Sequence, residues 1–257
     1  MRRQALLGAV LAALLLAAAC SPKGPPEPDP FALPGEASAP EEPGLRHVVA
    51  GGETWASLAE DYYGDPRRAG RLRRANEGLA AALSPGDEVF VPLSRRQRAA
   101  FERRAEARAP YNRGLEQARR GDYPDAILAF EEALRVDPGL AAAHYNLGLV
   151  YQRTGRLPLA AQFLGRAAQL QPYRAAYHYA HGAALAELGR PRTAERAFHR
   201  ALDQDPRHLP SLYALASSLE ARGRGREARR YWRRYLELDP DSVWGREARD
   251  RLAGEGP

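Results

Sequence analysis

The chain is 257 residues long, with 44% hydrophobic and 27% charged residues, which suits one large folded domain or two small ones. Its formal net charge is +6, and Lys23 is the only lysine among 38 basic residues. An arginine bias of that kind fits a GC-rich coding sequence better than selection for phosphate binding. The single cysteine excludes an intramolecular disulfide framework, so an exported domain here must rely on its apolar core.

Arg2 and Arg3 give the chain a positive head, followed by an uncharged, mostly apolar run from Ala5 to Ala19. That run is shorter than the ~20 residues that cross a bilayer. A charged head, a short apolar run and small residues at its end describe a secretory signal peptide over residues 1–19. The lone thiol, Cys20, comes directly after Leu16-Ala17-Ala18-Ala19. This resembles the lipobox of bacterial lipoproteins, with alanine at 17 where leucine is commoner. The resemblance implies lipid attachment at Cys20, and a multiply acylated cysteine would satisfy the need for more than one chain in a stable anchor. Ser21 stands where aspartate would signal inner-membrane retention, so the expected site is the periplasmic face of the outer membrane.

Residues 20–44 follow as a linker. Ser21 to Pro43 holds eight prolines and five acidic side chains in 23 residues, a composition that cannot bury a core. At roughly 3.1 Å per residue it could extend to about 70 Å.

Residues 45–93 read as a small module. Leu45-Arg46-His47-Val48-Val49 and Glu88-Val89-Phe90-Val91-Pro92 are expected strands, with helices around Trp55–Tyr62 and Arg67–Asn76 between them. Thr54 is a helix cap, Leu58 and Tyr62 share one helix face, and Pro85-Gly86 is a turn signal. Gly51-Gly52-Glu53-Thr54-Trp55-Ala56-Ser57-Leu58-Ala59, Tyr62-Tyr63-Gly64-Asp65-Pro66, Ala75-Asn76 and Ser84-Pro85-Gly86-Asp87 resemble the LysM domain. The resemblance implies a βααβ fold that binds N-acetylglucosamine glycans such as peptidoglycan. In that family the sugar lies in a shallow groove between two loops. Carried over, these are Gly52, Glu53, Thr54 and Trp55 on one side and Leu83, Ser84, Pro85 and Gly86 on the other. Residues 94–106, rich in arginine, are expected to form an exposed connector helix.

From residue 107 a period of 34 is plain. Pro138, Pro172, Pro206 and Pro240 keep it, as do Gly121, Gly155, Gly189 and Gly223, and Ala126, Ala160, Ala194 and Ala228. Gly114, Gly148, Gly182 and Ala216 keep a first helix small where a second crosses it. Phe130, Leu164, Phe198 and Trp232 supply the large core residue. The period and residue types resemble the tetratricopeptide repeat (TPR), with four repeats over residues 107–242 and a capping helix and tail over 243–257. The expected fold class is mostly α: a four-repeat TPR α-solenoid preceded by a small βααβ LysM module.

In such an array the first helices line a concave face. Tyr111, Tyr145, Tyr179 and Tyr213 repeat there at 34, a residue type suited to peptide grooves. Leu149, Gln152, Ala183 and Glu187 lie one and two turns further along the central helices. Lysines of the kind that clamp an acidic peptide terminus are lacking. His178 and His181 share a face but no carboxylate or cysteine cluster completes a metal site. No phosphate loop or nucleophile–base arrangement is present, so the chain is expected to be non-enzymatic and to need no cofactor. The basic run from Arg222 to Arg234 could neutralise phosphates, but behind a lipoprotein signal acidic protein, lipid headgroups or solvent are better candidates than nucleic acid.

Together these features predict an envelope adaptor with three handles: a lipid anchor in the membrane, peptidoglycan, and a protein partner in the groove. A pilotin-like assembly factor for a secretion or pilus machine, or an accessory positioning a separate wall hydrolase, would use the same handles. The first test is at the anchor. Cys20→Ser should abolish labelling by a radioactive fatty acid and release the protein from membranes; unchanged labelling would refute the assignment.

Overall fold

The computed structural model describes residues 44–254, so Cys20, the run before it and most of the proline-rich segment lie outside the described residues. The chain divides into Met1–Glu42 and Pro43–Pro257, and everything below belongs to the second unit.

Two antiparallel strands open this unit, β1 (Gly44–Val48) and β2 (Glu88–Pro92), with Leu45 opposite Val91. Between them lie α1 (Trp55–Tyr63), a 3₁₀ turn (Pro66–Arg68) and α2 (Ala69–Arg74). Thr54 starts α1 in a capping box: its Oγ1 accepts from the Ser57 N–H at 3.1 Å, and Ser57 Oγ accepts from the Thr54 N–H at 2.8 Å. Leu58, Ala59 and Tyr62 then bury against Leu72, Val89 and Val91. The single helix expected over Arg67–Asn76 is broken and shorter. Asp65 Oδ1 accepts from the Arg67 N–H at 3.0 Å and tightens the start. Asn76 leaves the helix to bond β2, donating to Phe90 O at 2.8 Å and accepting from Phe90 N at 2.7 Å.

Next comes α3 (Arg95–Arg120), one continuous helix of 26 residues. The connector and the first helix of the first repeat were expected as separate pieces. Ser94 supplies the start signal, a capping box with Gln97, and the first left-handed glycine after it is Gly121. Nothing between stops the helix, because Pro110 removes a single backbone donor and is itself buried.

The rest is a succession of helix pairs. The second half of α3 pairs with α4 (Tyr123–Val136), α5 (Ala141–Arg153) with α6 (Leu157–Leu170), α7 (Ala175–Glu187) with α8 (Pro191–Gln204), and α9 (Leu209–Ala221) with α10 (Gly225–Leu238). A single helix, α11 (Val243–Gly254), closes the array. Each first helix ends on a glycine with φ between +70° and +83°. Beyond it a Schellman bond recurs, as from Asp122 N to Gln117 O (2.9 Å) and from Arg190 N to Leu185 O (2.8 Å). Each second helix stops one residue before Asp137, Gln171, Asp205 or Asp239, and the proline after that residue disfavours helical backbone there.

Within each pair the helices cross at the small residue. A Cβ built on Gly148 would lie 2.6 Å from Leu164, and one on Gly182 would lie 2.5 Å from the Phe198 ring. Phe130, Leu164, Phe198 and Trp232 are essentially fully buried and run through one continuous core. Successive first helices (α3, α5, α7, α9) approach one another directly, whereas successive second helices are held further apart. The first helices therefore line the inner, concave side and the second helices the outer, convex side.

Gly182→Val should push a branched side chain into the Phe198 ring. Overpacking of this kind costs about 1–3 kcal/mol, and a domain of this size loses roughly 2–4 °C of melting temperature per kcal/mol. A melt within about 1 °C of wild type would show that the crossing is looser than these distances imply.

Candidate functional site

The concave face carries the four tyrosines in register. Each is half-buried and packs against the large residue of its own pair or a neighbouring ring. Tyr111 lies 5.9 Å from Phe130, Tyr179 5.9 Å from Phe198 and Tyr213 5.0 Å from Trp232, centroid to centroid. In the second pair the facing residue is Leu164, and Tyr145 instead stacks on Tyr177 at 4.7 Å. The Tyr111 hydroxyl accepts from Asn146 Nδ2 at 3.0 Å and ties the first pair to the second. Burial raises all four phenol pKa values above the ordinary tyrosine value. The hydroxyls are therefore neutral at physiological pH and can both donate and accept.

Leu149 and Ala183 are half-buried on α5 and α7, and Gln152 Nε2 donates to the exposed Glu187 across adjacent helices. The charges felt by the ladder differ along it: Arg119 near Tyr111, Glu187 near Tyr179, and Glu247 with Arg251 near Tyr213. Trp244 extends the aromatic surface onto α11. It stands 5.1 Å from Tyr213 and is 54% exposed. Trp244 sits in the first turn of a helix with no second helix after it among the described residues, so only its contact with Tyr213 shields the indole.

One end of this face is held by a contact that sequence reasoning missed. The first half of α3 packs under the small module: Phe101 stacks on Tyr62 at 4.9 Å, and Arg98 and Arg104 donate to Gly44 O (3.0 Å) and Asp61 O (2.9 Å). The module then reaches the loop between α6 and α7. Tyr173 Oη and Gln171 Nε2 donate to Gly64 O at 2.9 and 3.3 Å, Arg67 lies 4.5 Å over the Tyr173 ring, and Arg174 pairs with Glu60 at 2.5 Å. Burial opposes the charge on Arg174, but Glu60 more than offsets it and the guanidinium pKa rises. Burial likewise pushes the Tyr177 phenol up to about 12, with Glu60 among the charges adding to the shift. A signal was available. At the positions of Gln171, Tyr173 and Arg174 the first repeat has Asp137, Gly139 and Leu140, and the third has Asp205, Arg207 and His208.

Family models for tetratricopeptide repeats match residues 114–155, 141–174 and 185–246. The C-terminal region is built of tetratricopeptide repeats. Among solved structures the chain is similar to a crystal structure of MamA protein, at 20% identity and TM-score 0.52, covering 57% of this chain and 82% of that one. A MamA fragment from Desulfovibrio magneticus RS-1 matches at 23% identity and TM-score 0.50, covering 53% and 77%. A tetratricopeptide repeat protein from Parabacteroides merdae matches at 21% identity and TM-score 0.53, covering 57% and 58%. These likenesses concern the fold. No curated protein matches the chain significantly.

In the small module before the TPR array, the two loops singled out in the sequence lie side by side. Val49 N donates to Asp87 O, and Gly86 N donates to Val49 O, both at 2.9 Å. Gly52, Ser84, Pro85 and Gly86 are exposed, and Leu83 is half-buried. The other three residues of the set have structural partners. Glu53 Oε2 accepts from the Ala50 N–H at 2.8 Å and bonds His47 Nε2 at 2.7 Å. The Thr54 hydroxyl is the helix cap. Trp55 is buried, its indole N–H donating to Ala81 O at 3.1 Å. The ring edge lines an open cavity of about 370 Å³ with Arg73, Arg74, Asn76 and Leu79.

Three histidines of the TPR array take part in its packing. His144 and His178, one period apart, bond the carbonyls of Pro138 and Pro172 at 3.0 and 2.9 Å. His181 packs against Gly165. No grouping of His, Cys, Asp and Glu among the described residues could hold a metal ion. The arginine run from Arg222 to Arg234 is not uniform. Arg222 and Arg224 both grip Glu195, which is only 7% exposed, the latter at 2.9 Å, and Arg224 also pairs with Glu227 at 2.7 Å.

Proposed function

We propose that this chain is a non-enzymatic, lipid-anchored adaptor of the bacterial cell envelope that holds a protein segment in its TPR groove and a peptidoglycan strand on its small module. The observation that carries the reading is the concave face itself. Four half-buried, neutral tyrosines stand in register beside Leu149 and Ala183, a surface with apolar area and hydroxyls but no nucleophile–base pair among them. Such a face suits an extended or helical segment whose apolar side chains meet the rings while its polar groups meet the hydroxyls. The resemblance of the small module to LysM supports the glycan assignment. Its rim, with Gly52, Ser84, Pro85 and Gly86 exposed and Leu83 half-buried, presents mostly backbone and small side chains, as an uncharged sugar would need. Cys20 supplies the anchor, and the proline-rich segment supplies the reach between membrane and wall.

The groove is tested by placing a photoreactive residue at Ala183 and cross-linking in cells. One dominant protein adduct is expected, lost in a Tyr145→Leu/Tyr179→Leu variant. Leucine keeps apolar volume against Tyr177 and Phe198 but removes ring face and hydroxyl. Buried aromatic anchors are each worth about 2 kcal/mol, so binding of the identified partner should weaken at least tenfold. Undiminished binding by the folded double variant would place the site elsewhere.

The glycan site is tested by co-sedimentation of Pro43–Pro257 with purified peptidoglycan at high protein concentration. Enrichment over a control protein is expected, reduced by Ser84→Glu at the exposed rim. Absence of enrichment would remove peptidoglycan from the function and leave the module as a support for the first repeat.

A further inference from the structure

The second helices of the third and fourth repeats carry a feature that neither the groove nor the module uses. On α8, Arg192, Arg196 and Arg200 follow one another at intervals of four residues. On α10, Arg226, Arg230 and Arg234 do the same, each 34 residues from its counterpart on α8. Two parallel rows therefore run in the same register on adjacent outer helices. Five of the six side chains are exposed and Arg234 is half-buried. None of the six makes an ion pair among the described residues. Of the nearby acids, Glu195 is buried under Arg222 and Arg224 and Glu227 pairs with Arg224, while Asp203 and Glu237 on the same helices make no ion pair among the described residues. Like charges four apart on a helix repel and cost stability, so three in a row on each of two neighbouring helices is a standing electrostatic strain. The rows are local. At the corresponding positions the first repeat has Pro124, Leu128 and Glu132, and the second has Pro158, Gln162 and Arg166.

We infer that this outer face of the third and fourth repeats docks on an anionic lipid surface. Within a row, successive side chains are about 6 Å apart along the helix, so the six guanidinium groups form a two-dimensional array. Such an array meets many phosphates spread over a plane; it does not enclose one. The cleft beside the α10 row, about 320 Å³, agrees with this. It is open, and Asp203 stands in its wall with His199, Arg230 and Arg234, a poor arrangement for a single bound phosphate. Tyr231 in the same cleft adds an amphipathic ring of the kind found at membrane interfaces. The same set of outer helices also exposes apolar side chains, Leu128 on α4 (65% exposed) and Leu159 on α6 (37%). Apolar contact together with basic attraction characterises peripheral membrane binding. A nucleic-acid strand would want several stacking platforms along its path, and this cleft offers a single edge-to-face ring pair, His199 with Tyr231 at 5.9 Å. With the second helices turned to the lipid, the tyrosine-lined groove faces away from it.

The inference stands apart from the Cys20 anchor and from the groove's partner, so it is tested on Pro43–Pro257, which lacks the anchor and builds its cores from its own residues. Sedimentation with vesicles of phosphatidylglycerol mixed with phosphatidylcholine should show binding that weakens with added salt, and pure phosphatidylcholine vesicles should show little. Arg200→Gln/Arg230→Gln/Arg234→Gln should lower the partition roughly a hundredfold, at about fivefold per arginine near an anionic surface. Its melting temperature should be no lower than wild type, since like-charge repulsion has been relieved. A control with the same net charge, Arg95→Gln/Arg96→Gln/Arg103→Gln on α3, should stay within about threefold of wild type, because charges beyond a Debye length of the surface count little. Equal loss in both triple variants would mean that net charge alone drives the binding, and would overturn the inference. So would binding to neutral vesicles as strong as to anionic ones, or tighter binding to single-stranded RNA that the α8 and α10 substitutions abolish.

Discussion

The spacing of the helical array depends on one repeated contact, the crossing of a small residue on each first helix with a large side chain on the second. Where Gly114, Gly148 or Gly182 sits, the facing Phe130, Leu164 or Phe198 comes so close that a Cβ would overlap it. That proximity draws the two helices together and leaves their outer surfaces splayed. The curvature of the array, and so the existence of a concave face at all, follows from pairs that are tight inside and open outside. In the fourth pair Ala216 takes the glycine's place and Trp232 the facing position. Trp232 keeps its indole N–H satisfied by donating to Glu220 at 2.6 Å.

The groove tyrosines are part of the same packing. Three of them lean on the large residue of their own pair, and the fourth finds Tyr177 because leucine replaces the ring at 164. A half-buried ring held on one side is fixed in orientation before any partner arrives, so less side-chain entropy is lost on binding. The module adds rigidity from the other direction. It shares α3 with the first repeat and is fastened to the loop before α7, so that no flexible hinge separates its exposed turns from the groove.

Much of this was legible in the chain because the repeat registers were clean. A period of 34 in proline, glycine and alanine gave the helix pairs, and Thr54 and Pro85-Gly86 marked the capped helix and the turn. What could not be read lay where local signals are silent. The continuity of α3 is a lack of stop signals between Ser94 and Gly121, and a missing signal is harder to see than a present one. The fastening of the module depends on Gln171, Tyr173 and Arg174, three departures from register that gain meaning only once Gly64 and Glu60 are brought beside them. Nothing in the sequence sets Glu195 apart from any other helix acid, yet folding buries it beneath Arg222 and Arg224, and this divides the arginine run into supporting and outward-facing members. The residues of the groove and of the module's rim were readable as positions; their hydrogen-bond partners were not.

The fastening at Gly64 has a bearing on how the molecule comes apart. Stacked repeats open from their ends, because a terminal pair has a neighbour on one side only. Here the N-terminal pair is not a free end. Its first helix is covered by the module, and the module is tied to Tyr173, 109 residues away in the chain. Separating α3 from α4 therefore strains contacts made by the third repeat, while α11 rests, among the described residues, only on the last pair, α9 and α10. Thermal fraying is thus directional, entering at the C-terminal helix and advancing toward a sealed N-terminal end, and the long loop closed by the Gly64 contact makes that seal one of the last elements to form when the chain folds.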